Sequence, residues 1–230
     1  MREEKAVRLP ASNSPDRASE TRTRLLHAGL VLFGRQGFEA TSTRAIAEHA
    51  EANLAAIPYH FGSKAGLYNA VADHLVGEIR SRLLANPSLA AALQSPPSTA
   101  EDARALVHAI LDRMVDVIVG GDEAERWAPF VLREQMAPTA AFDILYRGLM
   151  EHLITAITAC VALATGNKHP AETTGIRAFM AFGQIMSFRA AQSTVKRALG
   201  WTSFGPPQLS AIKAILHINV DAILDAGQHS

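Results

Sequence analysis

Helical periodicity, broken by clear stop signals, is the feature that most constrains the fold of this chain. From Ser19 onward, apolar residues recur at the three- and four-residue spacing that places them on one face of an α-helix. Proline, glycine and polar clusters separate these segments, and no stretch shows sustained strand-like alternation with turn signals. The pattern predicts an all-α protein.

The composition is that of a globular protein without disulfides. Hydrophobic residues make up 48% of the 230 residues, which is enough for a sizeable core. The single cysteine, Cys160, is interpreted as a small buried hydrophobe. Residues 1–19 lack the apolar stretch of a secretory signal, and the run around 153–164 is too short to cross a bilayer. We therefore expect a cytoplasmic protein, with no cofactor indicated.

The helix stop signals divide the chain into four parts. Residues 1–18 lack periodicity and are predicted to form a flexible arm, whereas residues 19–64, the head, contain three short helical segments. Residues 65–86 form a predicted connecting helix, and residues 87–230 form the body. Helices in the body are predicted at about 100–119, 123–135, 138–165, 171–198 and 208–226.

Local signals predict where the head helices begin and end. The first helix should end at Gly37, which tolerates a positive φ. The second should begin after Ser42 and the fourth at Ser63, because a serine hydroxyl can accept a hydrogen bond from the first turn. The third is predicted to run from an Asn53 cap to residue 60, and the fourth to end before Asn86, which precedes a proline.

Three short helices in this order are typical of a helix-turn-helix DNA-binding unit. Net charge gives no help, since Lys+Arg and Asp+Glu both number 22. Thr43 and Arg44 fall at the start of the second helix, where backbone N–H groups favour a phosphate, and Lys64 holds the same position on the fourth helix. Arg44 is also suited to a bidentate contact with guanine.

Over roughly residues 20–75 the chain resembles the TetR/AcrR family of transcriptional regulators. The matching segments, in the family's order and spacing, are 23–33, 37–38, 40–50 and 53–68. The resemblance implies a DNA-binding repressor that a small-molecule effector releases from a palindromic operator. It also implies DNA contact at or near Ser42, Thr43, Arg44, Asn53, Ala55, Ala56, Tyr59, His60 and Lys64. In the alternative interpretation, Tyr59 and His60 pack against the fourth helix.

Two residues depart from the family pattern and change the expected chemistry. Glu51 replaces the usual turn glycine, so a left-handed backbone there would cost about 1 kcal/mol or more. Pro58 replaces a common tyrosine and would cost about 3 kcal/mol inside a regular helix, which predicts a short or distorted recognition helix. The outward residues Leu54, Ala55 and Ala56 are apolar, so we predict contacts with thymine methyl groups.

The last two long segments of the body are predicted to form a dimer interface. Segments 171–198 and 208–226 are more apolar than one-sided surface helices need to be. Gly183, Ser187 and Ala191 recur every four residues and allow close helix approach. The family resemblance implies a two-fold four-helix interface from these segments, and ordinary core helices are the alternative. Segment 133–146 is similar to the CecR-like branch of the family.

An effector pocket is expected among helices 100–165 with parts of 171–190. Its occupant would be a small apolar or amphipathic molecule, since methionines and aromatic residues make an adaptable apolar wall. The candidates are Met114, Ile118, Trp127, Phe130, Arg133, His152, Phe182, Gln184 and Met186. For each of them, core packing or surface solvation is the alternative.

Two further alternatives remain open. His108, Asp112 and Asp116 share a helix face at four-residue spacing, which permits a metal site but is also typical of a solvated charged face. The protein could be an architectural or adaptor protein without an effector. An all-α enzyme is disfavoured, because the chain lacks G-x-S-x-G, H-E-x-x-H, P-loop and dinucleotide-binding patterns.

Overall fold

The computed structural model describes residues 15–225 except 96 and 122. Within these ranges the regular structure is helical without a strand, so the predicted all-α class is confirmed. The helices are α1 (Pro15–Ala40), α2 (Thr43–His49), α3 (Ala56–Phe61), α4 (Lys64–Leu83), α5 (Pro87–Gln94), α6 (Ala100–Met114), α7 (Ala124–Met136), α8 (Ala140–Leu145), α9 (Glu151–Ala164), α10 (Ala171–Ala190), α11 (Gln192–Leu199) and α12 (Pro206–Asp225). π-helical turns at Val115–Val119 and Tyr146–Met150 extend α6 and join α8 to α9.

The two predicted serine caps of the head are confirmed. The Ser42 hydroxyl accepts from the Ala45 N–H at 3.1 Å, and the Ser63 hydroxyl accepts from the Gly66 N–H at 3.0 Å. The helical backbone of α1 is interrupted at Gly37, which takes φ 85° and ψ 173°. The helix begins at Pro15 rather than Ser19, because proline suits the first turn of a helix; the earlier part of the predicted arm, residues 1–14, lies outside the described residues.

The recognition helix α3 is short, as predicted, but for a different reason. The Asn53 side chain accepts from the Ala55 N–H at 2.9 Å and forms a turn, so the helix begins only at Ala56. Pro58 therefore falls in the first turn, where its missing N–H costs no intrahelical bond and the expected 3 kcal/mol penalty does not apply. Glu51 does take the left-handed conformation, with φ 50°.

Helix α1 packs on both the connecting helix and the body. Phe33 of α1 is fully buried and meets Tyr68 of α4 edge to face, with ring centroids 4.8 Å apart. Tyr68 also contacts Phe130 of α7, and its hydroxyl donates to the buried carboxylate of Glu134. A Cβ added at Gly34 would lie 3.1 Å from the Phe130 backbone nitrogen, so α1 and α7 are in close contact.

The body matches the predicted segments with three corrections. Helix α5 was not predicted; it begins at Pro87, and the Asn86 side chain caps it by accepting from the Leu89 N–H at 3.1 Å. The predicted segments 100–119 and 138–165 contain π-helical turns. The predicted helix 171–198 is two helices, because Ala191 leaves the helical conformation with φ −103° and ψ 26°.

The charged face of α6 forms ion pairs with α12 and is only partly exposed to solvent. His108, Asp112 and Asp116 were considered as a metal site or a solvated face, and each has a partner on α12. The pairs are His108–Asp221 (2.9 Å), Asp112–His217 (2.8 Å), Asp116–Lys213 (2.7 Å), Arg104–Asp221 (2.6 Å) and Arg104–Asp225. We call this set the α6–α12 ladder; it joins helices more than 90 residues apart in sequence.

By length and composition alone, one helical segment among the described residues is apolar enough to cross a membrane. It is Ala140–Ala164, whose most apolar window has a mean hydropathy of 1.3 and is 22% buried. Its parts pack on α4, α6 and α10. Cys160 lies on its buried side, and burial raises the pKa of the thiol, in agreement with its interpretation as a small hydrophobe.

Candidate DNA-binding face and body cavity

The head carries an open depression of about 580 Å³ between α2, α3 and the start of α4. Five of the predicted DNA-contacting residues line it. Thr43 comes from α2, Lys64 from α4, and the turn before α3 supplies Asn53, Leu54 and Ala55. The lining residues are Thr43, Asn53, Leu54, Ala55, Ile57, Pro58, Ser63 and Lys64. Local turn and cap geometry thus gathers the predicted residues on one face.

The remaining predicted residues lie within two positions in sequence of residues that line this depression. Tyr59 is 75% exposed, so its ring does not pack against α4 as the alternative interpretation required. Among the described residues, the ring that it contacts is that of His60, edge to face at 4.8 Å. His60 and Ala56 are half-buried, and Ser42 is exposed with its hydroxyl engaged in the α2 cap.

Two cations differ in how firmly they are held. Arg44 donates from Nε to the Glu48 carboxylate at 2.9 Å, with both side chains mostly exposed. Such a pair is worth only about 0.3–0.5 kcal/mol, so a phosphate or a guanine can replace it. The Lys64 ammonium lies 4.4 Å above the Phe38 ring and donates to the Glu39 carbonyl at 3.3 Å, which fixes its position.

The body contains a cavity of about 340 Å³ between α4, α5, α6 and the start of α9. The volume is in the range of small-molecule sites. Its wall is mainly aliphatic, and the polar groups at its edge are Arg80, Gln94 and His152. The other lining residues are Leu83, Leu84, Leu89, Ala90, Leu93, Ile110, Gly148, Leu149, Leu153 and Ala156.

Of the predicted effector-binding residues, the structure brings only His152 to this cavity. Met114, Ile118, Trp127 and Phe130 are buried in the core. Arg133 lies against Gly37 and donates to the Arg35 carbonyl at 3.3 Å, at the contact between α7 and the head. Phe182 and Met186 are half-buried on α10, and the neighbouring Gln184 accepts from Asn219 at 2.8 Å.

Sequence reasoning missed the α4 and α5 walls of the cavity. Nothing in the sequence distinguishes Arg80, Leu83 and Leu89 from ordinary helix residues. An apolar residue that lines a cavity has the same spacing along a helix as one that fills a core. The Asn86-Pro87 signal, a cap followed by a proline at the first helical position, was sufficient to predict α5.

The α10–α12 surface exposes large apolar side chains. Ile176, Phe179, Met180, Ile215 and Ile218 are each more than half exposed. A groove of about 230 Å³ runs between the two helices, and a Cβ added at Gly183 would meet nothing within 4 Å. This is the surface that the sequence predicted to be a dimer interface.

Comparison with known proteins identifies both parts of the chain. Residues 25–71 match the family described as bacterial regulatory proteins, tetR family. Residues 103–227, more than half of the chain, match the C-terminal domain of the HTH-type transcriptional dual regulator CecR. The chain belongs to the TetR family, with a C-terminal domain of the CecR type. This TetR-family protein is therefore a transcriptional regulator and not an enzyme, as the sequence predicted.

The relatives match either most of the chain or about a third of it. The CecR dual regulator of Shigella flexneri is 29% identical over 209 residues, which cover 90% of this chain and 93% of that protein. The HTH-type transcriptional regulatory protein RaaS of Mycobacterium tuberculosis is 45% identical over 76 residues, or 33% of this chain and 32% of RaaS.

Solved structures share the fold of this TetR-family regulator. A TetR-family regulator from Streptomyces coelicolor superimposes with a TM-score of 0.60 at 19% identity, covering 94% of this chain and 96% of that one. A transcriptional regulator from Saccharomonospora viridis, solved in complex with choline, has a TM-score of 0.58 at 18% identity, covering 88% and 96%.

Proposed function

We propose that this TetR-family regulator is a repressor that a small-molecule effector releases from a palindromic operator. The observation that carries the proposal is that α4 borders both candidate sites. Ser63 and Lys64 at its start line the head depression, and Arg80 and Leu83 near its end line the body cavity. Lys64 and Arg80 are about 24 Å apart along the helix axis at the rise of an α-helix. A shift of α4 at the cavity would therefore move the head.

On the DNA side, the head depression supplies both anchoring and reading groups. Thr43 and Lys64, which line the depression, and the exposed Ser42 would contact phosphates, together with exposed Tyr59 and half-buried His60. Arg44 is the candidate for guanine, because its pair with Glu48 is exposed and weak. Leu54, Ala55 and Ala56 would meet thymine methyl groups, while Asn53 holds the turn.

The cavity favours an apolar effector with one polar or anionic end. Aliphatic side chains would bury the apolar part, and Arg80 with His152 would face the polar end. The choline complex of the Saccharomonospora viridis regulator supports a small-molecule effector in this fold. An effector that binds one orientation of α4 more tightly shifts the population toward it.

The exposed apolar face of α10 and α12 supports a homodimer. Ile176, Phe179, Met180, Ile215 and Ile218 would be buried by a second copy of the same face. Two-fold symmetry would then present two heads to half-sites about 34–36 Å apart, which requires a palindromic operator. Because its partner is chromosomal DNA, we expect the protein in the cytoplasm.

The experiment begins with selection of binding sites from random-sequence DNA by the full chain. A palindromic consensus bound by one dimer is expected, measured by fluorescence anisotropy and sedimentation. Titration with anilinonaphthalene sulfonate, an apolar dye with one anionic group, should then weaken operator binding. Specific DNA binding that neither the dye nor a metabolite collection alters would favour the adaptor alternative, and the absence of a consensus would contradict both.

A further inference from the structure

Two histidines and a glutamate converge where α1 crosses α4. His27 comes from α1, and His74 and Glu78 lie one turn apart on α4. The Glu78 Oε1 atom is 3.6 Å from His74 Nε2 and 4.0 Å from His27 Nε2. Each residue offers one ligand atom, and the three atoms lie within 4.8 Å of one another. We call this set the His27 cluster.

Within the part of the chain that the structure describes, the His74 Nε2 atom of this cluster lacks a hydrogen-bond partner. This atom is buried and makes no hydrogen bond with any described residue, since 3.6 Å to Glu78 is too long for one. A neutral imidazole with a free lone pair is the form that ligates metals. A buried nitrogen without a partner is rare enough to require an explanation.

We propose that His27, His74 and Glu78 bind a divalent transition-metal ion of the zinc class. Two imidazoles and one carboxylate are a known zinc ligand set, in which water fills the fourth position. His74 and Glu78 have the i, i+4 spacing that puts two ligands on one helix face. Imidazole disfavours magnesium and calcium, which prefer oxygen ligands.

The geometry requires a small contraction. Tetrahedral zinc with bonds of about 2.0–2.1 Å holds its ligand atoms about 3.3 Å apart. Glu78 and His74 are near this separation already, and the His27 side chain is 48% exposed and therefore free to turn toward them. An open groove lined by His74, Gly77, Glu78, Ser81 and Arg82 adjoins the cluster and admits ion and water.

Bound metal would tie the first helix of the head to the connecting helix. The two helices already pack through Phe33 and Tyr68. A metal ion held by His27, His74 and Glu78 would add a second contact between them, one that depends on the metal. Because α4 borders both the head depression and the body cavity, this metal-dependent contact lies between the two sites. The metal site itself does not depend on the proposed repressor function.

The test uses the untagged full chain, stripped of metal with a chelator. Zn²⁺ binding is measured by calorimetry and Co²⁺ binding by its d–d absorption, which reports coordination. One ion per chain is expected, and His27→Gln and Glu78→Gln should each lower the affinity at least tenfold. The matched control is His49→Gln, an exposed histidine on α2 outside the cluster, which should change the affinity less than twofold.

The outcome is decisive in either direction. Stoichiometric binding that survives in both cluster variants would overturn the proposal, as would the absence of binding up to millimolar Co²⁺. If a variant unfolds, as judged by circular dichroism, an NMR measurement on the wild-type chain still tests the site. Zn²⁺ should shift the imidazole NMR signals of two of its nine histidines, and uniform or absent shifts would contradict the site.

Discussion

The head depression and the body cavity differ in the sequence distance that they bring together. The head residues lie between Thr43 and Lys64, joined by two caps and one turn. The cavity draws on residues from Arg80 to Ala156, carried by four helices and a π-helical turn. A DNA-binding face can thus be encoded locally, whereas the cavity exists only once distant helices have packed. Substitutions should therefore act on the two sites independently.

The largest effect is expected for Arg44→Ala on the head. Loss of a bidentate guanine contact should lower operator affinity about 10- to 100-fold, measured by fluorescence anisotropy. Dye binding at the cavity should not change. The matched control is Arg126→Ala, an exposed arginine on α7 of the body, for which less than a twofold change is expected. An equal loss in both variants would mean that general charge, and not the head face, sets the affinity.

The reciprocal test fills the cavity. Ala156→Trp places a large ring among the lining residues and should lower the affinity for anilinonaphthalene sulfonate about tenfold or more, as read by its fluorescence. Operator affinity without dye should stay within twofold. Ala159→Trp, on an exposed part of the same helix, is the control and should bind dye normally. Normal dye binding to Ala156→Trp would rule out this cavity as the site.

A smaller effect is expected when thymine methyl groups are removed from the operator. Each methyl buried against Leu54 or Ala55, both exposed in the free protein, is worth about 0.8 kcal/mol, or about fourfold in affinity. Uracil substituted at one thymine position at a time should reveal which positions contribute. Affinity unchanged at every position would show that the turn before α3 reads DNA shape or makes no contact.

A connecting-helix variant tests whether the two sites communicate. A Cβ at Gly77 would meet nothing within 4 Å, so Gly77→Ala should stabilise α4 by about 0.5–1 kcal/mol without a clash. The dye concentration that releases operator should shift two- to threefold, and operator affinity should shift less. Gly175→Ala, an equally open helical glycine on α10, should gain similar stability and leave release unchanged. Equal changes in release and affinity for Gly77→Ala would argue against α4 as the link.

The smallest effect concerns pH and the α6–α12 ladder. Burial opposes ionisation of Asp221, but hydrogen bonds and charges from Arg104 and His108 outweigh it and lower the pKa of Asp221. The stability that this carboxylate contributes is complete above its unfolded pKa of about 3.9 and is lost as the pH falls through the lower folded value.

This pH dependence is measured by thermal unfolding between pH 3 and pH 6. Because the pair is partly exposed, Asp221→Asn should lower the melting temperature by only about 1–4 °C at pH 6, and the difference from wild type should shrink toward pH 3. Asp143→Asn, at an exposed carboxylate of α8, is the control. A constant difference across the range would show that the charge of Asp221 contributes nothing.

The sequence predicted those features whose signals lie within a few residues. Ser42 and Ser63 were recognised as caps, Gly37 and Glu51 as positive-φ positions, and the bounds of the long body segments fell within a few residues of the helices. These features depend on backbone sterics and local hydrogen bonds, which the neighbouring residue types determine.

Apart from α5, whose cap signal was local, the main unpredicted features depend on tertiary contacts. The cavity exists only where α4 and α5 meet α6 and α9, and the His108 face finds its partners on α12, so both follow from packing over long separations. His27 and His74 are 47 residues apart, and only the i, i+4 spacing of His74 and Glu78 was visible in the sequence. An isolated pair with that spacing has too many ordinary explanations to predict a site.

The close contact of α1 with α7 limits how regulators of this kind can exchange parts. Gly34 lies against the backbone of Phe130, and a Cβ at Gly37 would come within 2.9 Å of the Arg133 side chain. A chimaera that joined this head to the body of another regulator at residue 64 would therefore have a mismatched interface between α1 and α7. This would hold even if α4 continued without distortion across the junction. Operator specificity should instead be changed by exchanging the exposed residues of α2 and α3, which leaves the α1–α7 interface intact.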